Sequence, residues 1–242
     1  MPDTLLARFL RYVKINTVST PEAATSPSTP GQWVLLRLLA DELRALGAAD
    51  VSLDDNGYLL ATVPATSDKP GVPVVALLAH VDTAPDFNSD QVKPIVHRKW
   101  NGKPIVLPDD KRQVIDPARF PTLASAKGHD IVTASGLTLL GGDDKAGIAI
   151  IMSLAAHLLA HPELKHGLIR LCFNPDEEVA SGVDKLNLDT LGANVAYTLD
   201  GDNPGEVVWE TFSADSAVVT IEGVSTHPGD AKKSGMVNAL HL

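Results

Sequence analysis

The sequence predicts an α/β fold: a mostly parallel central sheet with helices on both faces, followed by the start of a smaller α+β domain. Three observations predict it. The runs 74–79 and 168–173 are continuously apolar and read as strands buried on both faces. Helical apolar periodicity alternates with such runs. From Glu206 onward strand-like segments follow one another with no helix between them. The expected division is therefore 1–206 and 207–242.

Taken in order, Leu5, Leu6, Phe9, Leu10 and Val13 recur at helical spacing and give a first helix over 4–13. Residues 19–31 are rich in Ser, Thr and Pro. That composition suggests a flexible linker, although a loop of this length inside a domain can also be functional. A second helix spans 33–46 and stops at Gly47. Segments 51–53 and 58–63 flank Asp54-Asp55-Asn56-Gly57, a hairpin signal. The run at 74–79 ends in His80-Val81-Asp82. Residues 85–130 are polar and proline-punctuated, and predict loops with short strands. A strong helix over 145–161 follows Gly141-Gly142-Asp143-Asp144, with Ile148, Ile151, Met152, Ala155, Leu158 and Leu159 on its apolar face. The strand at 168–173 breaks at Asn174-Pro175, because proline has no N–H for a ladder and restricts the residue before it. Helix or loop crosses 183–191, and a strand at 195–199 ends in Asp200-Gly201-Asp202. Beyond it, 207–210 and 216–222 read as antiparallel strands, Thr226-His227-Pro228-Gly229 as a turn, and 236–242 as the start of a helix.

The chain has 242 residues, 44% of them hydrophobic, enough for one large or two modest domains. Acidic residues outnumber basic ones, 30 to 20, and no Lys/Arg stripe forms, which argues against nucleic acid. No run approaches the roughly 18–20 apolar residues of a membrane span. The polar N-terminus lacks a secretory core. Cys172, the single cysteine, lies in an apolar strand and reads as a buried thiol in a reducing compartment. A cytoplasmic location is expected.

The chemistry gathers where strands end. In open α/β sheets, sites form at the carboxyl ends of strands. His80, Asp82, Glu177, Glu178 and Asp200 all follow such ends, and Asp143 sits in the turn before a helix. Pro175-Asp176-Glu177-Glu178 puts three acids together after a buried strand. Either this is a solvated acidic loop, or the acids need a cation or a raised pKa to offset repulsion and lost hydration. In His80-Val81-Asp82 both side chains share a face if strand geometry persists, so Asp82 can anchor or tune the imidazole. Asp143 and Asp144 suit a helix N-cap, but one Asp suffices for that, and the preceding glycines permit close approach. A carboxylate in this turn could bridge two cations. Adjacent glutamates point in different directions, so one of Glu177 and Glu178 can hold a metal while the other acts as general base. One His with several carboxylates suits zinc, with manganese or cobalt tolerated. An all-oxygen magnesium site for phosphoryl transfer, using Asp143, Asp200 and Asp202, would leave His80 without a role. His227 is either a turn residue or a donor to a substrate carbonyl. The other histidines lack an acid-rich context.

The segments His80-Val81-Asp82-Thr83-Ala84-Pro85, Gly142-Asp143-Asp144-Lys145-Ala146-Gly147, Pro175-Asp176-Glu177-Glu178 and Tyr197-Thr198-Leu199-Asp200-Gly201 together resemble the di-zinc aminopeptidase/carboxypeptidase/aminoacylase superfamily, and within it the tripeptide aminopeptidases. Ser28-Thr29-Pro30-Gly31-Gln32-Trp33, His227-Pro228-Gly229 and Met236-Val237-Asn238-Ala239-Leu240 extend the resemblance along the chain. The resemblance implies a zinc-exopeptidase fold with a lid domain and two zinc ions per subunit. It implies that His80 and Asp200 bind the first zinc, that Asp143 bridges both, and that Glu178 binds the second. Asp82 would support His80, Glu177 would be the general base, and His227 would touch substrate from the lid. Small peptides would be the substrates, losing their N-terminal residue; a dipeptidase, carboxypeptidase or N-acyl amino acid deacylase on the same scaffold is the alternative. In that superfamily the chain continues past the lid and returns with a late histidine for the second zinc. The resemblance therefore implies a C-terminally truncated chain whose second site lacks that ligand and whose activity alone is doubtful.

Overall fold

A computed structural model describes residues 3–201, 205–210, 213, 215 and 217–239. Contacts divide the chain into two units, Met1–Asp202 and Asn203–Leu242.

In the first unit, α1 (Leu5–Tyr12) opens at Thr4, whose hydroxyl accepts the Ala7 N–H. α2 (Pro30–Leu46) begins three residues before Trp33, because proline at the first helical position needs no hydrogen-bond partner for its nitrogen. It closes at Gly47, which takes the left-handed conformation (φ 85°). The strands β1 (Ala49–Leu53) and β2 (Leu59–Val63) form the expected hairpin. β3 (Val75–His80) follows, then β4 (Ile95–His97), β5 (Ile105–Val106), β6 (Val114–Ile115), α3 (Pro121–Ala124) and β7 (Ile131–Thr133). These short elements make two small antiparallel ladders, β4–β7 and β5–β6, around Trp100, Ile105 and Leu107. α4 (Gly142–Ala160), β8 (Ile169–Asn174), α5 (Leu188–Leu191) and β9 (Val195–Thr198) complete the unit. Within α4, Asp143 and Asp144 depart from helical φ/ψ, so the regular helix starts at Lys145, as its apolar pattern predicts.

The main sheet runs β1-β2-β8-β3-β9. β3 is parallel to both β8 and β9, while β2 is antiparallel to β1 and β8. β2 alone therefore opposes the other four strands, which gives the mostly parallel sheet expected. One face carries Leu59, Ala61, Ala79, Leu171 and Phe173 and is buried under α1, α2 and α4 through Tyr12, Leu36, Leu39, Ile148 and Met152. The opposite face, with Leu60, Ala76, Leu78 and Cys172, is covered by Leu191 of α5 and by Leu186 and Ala193 beside it. Alternation along β8 sends Leu171 and Phe173 to one layer and Cys172 to the other.

Residues 19–31 are pinned, not free. Thr20 N–H donates to Ser28 Oγ (2.9 Å), and Thr29 Oγ1 donates to the Val18 carbonyl (2.7 Å). The polar composition that suggests a linker supplies these bonds.

In the second unit, α6 (Pro228–Lys233) starts at His227, whose Nδ1 accepts the Gly229 N–H (3.2 Å). The strands expected at 207–210 and 216–222 are not formed among the described residues. A strand exists only through a partner for its N–H and C=O groups, and Val208, Trp209 and Val218 are exposed. Residues 236–238 of the expected last helix are not helical; α6 ends at Lys233, Ser234 caps it and Gly235 turns with φ +68°. Ser216 and 240–242 lie outside the described residues.

Candidate metal centre

Three strand ends and one helix start meet at a single point. Because β8, β3 and β9 are adjacent and parallel, their carboxyl ends deliver Glu177 and Glu178, His80, and Asp200 side by side. α4 brings Asp143 from the same face of the sheet. His80 is buried, and its Nε2 lies 2.9 Å from Asp143 Oδ1 and 3.8 Å from Asp200 Oδ2. Its Nδ1 lies 3.2 Å from Asp82 Oδ1. Two sets of donor atoms result, each within 4.8 Å: His80, Glu177 and Asp200, and His80, Asp143 and Glu178. The adjacent glutamates are thus divided between the sets.

That division has a local cause. Asp176 adopts a left-handed conformation (φ 55°, ψ 31°), which turns the chain sharply after β8 and starts a 3₁₀ turn at Glu177–Val179. Asp82, fully buried, clamps the turn: its Oδ1 accepts the Glu177 N–H (3.0 Å) and its Oδ2 the Glu178 N–H (3.1 Å). One carboxylate therefore fixes the imidazole of His80 and the backbone of both glutamates.

Charge is heavily unbalanced. Burial opposes a charged imidazole, yet the hydrogen bonds to Asp143 and Asp82 outweigh it and hold His80 up at about 11. Burial would also raise Asp82, but His80, with the Glu177 N–H and the Ser19 side chain, keeps it below the usual carboxylate range. His80 likewise holds Asp143 down. The charge of His80 also favours ionisation of the other acids, but burial and their mutual repulsion outweigh it. Burial and the charge of Asp143 push Asp200 up to about 6 and raise Glu178. Asp144 is buried deeper and is pushed up to about 8 by burial, with Asp200 and Asp143 adding repulsion. Carboxylates that resist ionisation together around one imidazole need additional positive charge, and a pair of divalent cations supplies it. The donor set, one imidazole nitrogen among carboxylate oxygens, fits zinc or a similar divalent metal.

Of the residues singled out from sequence, His80, Asp82, Asp143, Glu177, Glu178 and Asp200 come together. His227 lies in the other unit, where its ring caps α6. Asp202 lies outside the described residues. Of the supports, sequence reasoning offered Asp144 as a cap candidate and missed Lys145 and the inward turn of Asp176. Asp144 caps the regular helix by accepting the Gly147 N–H (3.0 Å) while its Oδ2 is buried without a partner. Lys145 is buried, donates to the Ile15 carbonyl (2.9 Å), and is lowered by burial to about 7. Asp176 is also buried, held by Ser28 and Gln32. A charged residue at a helical core position was the available signal for Lys145.

All 242 residues align with curated proteins named peptidase T: 48% identity with that of Geobacillus kaustophilus and 47% with those of Geobacillus thermodenitrificans and a Bacillus cereus strain. In each case the chain spans 58% of the relative's length. No protein-family model matches. Among solved structures, the aminopeptidase PepT of Bacillus cereus superposes with a TM-score of 0.57 at 22% identity, covering 82% of this chain and 43% of that one. A Staphylococcus aureus tripeptidase gives 0.56 at 22% identity over the same shares, 82% and 43%. The superpositions pair fewer residues than the sequence alignments do, and they bear on the fold alone. The resemblance expected from the motifs holds along the whole chain.

Proposed function

We propose, from the premise that this chain is similar to peptidase T throughout its length, that its strand-end cluster is the metal centre of a tripeptide aminopeptidase that holds two zinc ions. The observation that carries this reading is the pair of donor sets meeting at His80. One imidazole nitrogen binds one ion, so both sets cannot be filled through His80. The family resemblance makes Asp143, with its two oxygens, the residue that would link the two ions, with His80 and Asp200 completing one site and Glu178 serving the other. Zinc held there supplies Lewis acidity, which polarises a scissile carbonyl and lowers the pKa of water.

The chain's own residues do the rest. Asp82 fixes the ring of His80 through Nδ1 and leaves Nε2 facing the cluster. Glu177, exposed at the mouth of the cluster, takes the proton from the attacking water and returns it to the leaving amine. The choice of Glu177 over Glu178 as base comes from the family resemblance; the geometry separates the two without ranking them. The family resemblance, not the geometry, gives His227 the role of a donor to the substrate carbonyl. The substrates are small peptides cleaved after the first residue, and the enzyme works in the cytoplasm without nucleic acid or membrane partners.

The test compares wild type with Glu177→Gln for zinc content and for hydrolysis of free, N-acylated and dipeptide substrates. Zinc in both proteins, with tripeptide cleavage in the wild type alone, is the expected result. Cleavage by Glu177→Gln at the wild-type rate removes the base assignment, and preference for acylated or dipeptide substrates moves the enzyme to another branch.

A further inference from the structure

The buried carboxylate of Asp176 belongs to neither donor set, yet, as in Asp82, both its oxygens are engaged in hydrogen bonds. Its oxygens accept from the Ser28 N–H (2.9 and 3.0 Å), the Ser28 hydroxyl (2.5 Å) and Gln32 Nε2 (2.7 Å). Its own N–H donates back to Gln32 Oε1 (3.2 Å). Gln32 is fully buried at the start of α2; its Oε1 accepts from Asp176, and its Nε2 donates to Asp176 and also reaches Ser28 Oγ (3.2 Å) and Thr29 Oγ1 (3.5 Å). The turn before the glutamates is thereby gripped from two sides: Gln32 and Ser28 hold residue 176, and Asp82 holds the N–H groups of 177 and 178.

We propose that Gln32 and Asp176, with Ser28, are positioning residues for the metal centre. They hold the left-handed turn that sends Glu177 and Glu178 to different donor sets, and they tie that turn to the loop at 19–31. An L-residue with φ +55° relaxes to a commoner conformation unless its surroundings over-determine it. Two peptide units separate Asp176 from Glu178, so such a relaxation would swing both glutamates away from His80. The inference rests on the metal-centre reading above and adds residues to it that contact neither metal nor substrate.

The complementarity of the pair supplies the test. Gln32→Glu sets a second carboxylate against Asp176, and Asp176→Asn, whose oxygen must stay toward Gln32 Nε2 and the Ser28 hydroxyl, sets its NH2 against the Ser28 N–H. The double variant reverses the polarity: the new amide donates to the new carboxylate and still offers an oxygen to Ser28. Zinc affinity of wild type, the two single variants, the double variant and Ser28→Ala is measured by isothermal titration calorimetry, with thermal unfolding in chelator to establish that each is folded. We expect zinc affinity to fall about 10–100-fold in each single variant, the range for groups that orient metal ligands. Ser28→Ala should lose several-fold, and the double variant should recover most of the affinity. A merely structural role would lower the unfolding temperature of the chelated protein and leave the affinity of the folded molecules unchanged. Unchanged affinity in the folded single variants overturns the proposal, as does a double variant no better than the worse single one. If Gln32→Glu does not fold, Ser28→Ala decides: wild-type affinity there overturns it. Absence of zinc binding by wild type is a different result, which removes the metal-centre reading and this inference with it.

Discussion

Replacing Asp82 by Asn tests the clamp most sharply, because the change keeps shape and removes acceptor capacity. The native carboxylate meets the Glu177 N–H and His80 Nδ1 with one oxygen and the Glu178 N–H with the other. An amide offers one oxygen. Whichever way it flips, one of the two peptide N–H groups faces an NH2 and loses its acceptor in a fully buried position. An orphaned buried donor costs about 1–3 kcal/mol. Loss of the charge on the remaining bonds adds about 1 kcal/mol, since charge-assisted bonds are roughly twice as strong as neutral ones. The sum, about 2–4 kcal/mol, is a large part of the ~5–15 kcal/mol that holds a domain. With a urea slope of about 2 kcal/mol per molar, the midpoint of the metal-free protein should fall by about 1–2 M at pH 7. The pH dependence follows from the direction of the shift. The folded Asp82 pKa is depressed, so its contribution is complete above the unfolded carboxylate value near ~4 and is lost as pH falls through the folded value. The difference between wild type and Asp82→Asn should therefore be full at neutral pH and shrink in acid. Urea unfolding followed by circular dichroism at several pH values measures both. A midpoint unchanged at pH 7 would refute the clamp.

Gly147→Ala places a methyl group 2.3 Å from Asp144 Oδ1 and 2.5 Å from the Leu199 carbonyl, next to Asp200. Overpacking of this kind costs about 1–3 kcal/mol, so calorimetry should show a lower Tm and zinc titration a weaker site. Burial pushes the Cys172 thiol up to about 12. It should ignore a disulfide reagent such as DTNB in the native protein and react on unfolding, and its stabilising contribution should fade as pH rises from the unfolded value of ~8.5 toward 12. Reaction of the native thiol at the rate of a free one would contradict its place between the sheet and Leu191. Tyr12 donates to Glu42 Oε2 (2.7 Å), which also pairs with Arg11. Tyr12→Phe should cost about 1.5–3 kcal/mol by urea unfolding, the worth of a bond to a charged group, without changing zinc affinity.

The site was legible in the sequence to the degree that its residues follow strand ends. The apolar runs before His80 and Glu177 mark two adjacent strands, and Asp200 follows a third; parallel pairing then makes their ends coincide. The helix from Lys145 was equally plain, because Ile148, Ile151, Met152 and Ala155 repeat at helical spacing and all are buried. What the sequence hid is the geometry of turns. Nothing in Pro175-Asp176-Glu177-Glu178 says that Asp176 turns left-handed and inward while the glutamates diverge. That outcome depends on Gln32 and Ser28, nearly 150 positions earlier in the chain, at separations of 144 and 148 residues. The flexible-linker reading of 19–31 fails for the same reason, since its hydroxyls find partners only after folding. Beyond Glu206, β-propensity alone indicated strands, and propensity without a partner strand makes no ladder.

Everything proposed for this site depends on His80, Asp143, Glu178 and Asp200 holding a pair of divalent ions between three strand ends and one helix. Anomalous diffraction at the zinc edge, from crystals of this protein grown with zinc, addresses it directly. Two peaks are expected in that cluster, one against His80 Nε2 and Asp200, the other against Glu178, with Asp143 between them. Zinc found only elsewhere on the molecule, with the cluster free of anomalous density, would contradict it.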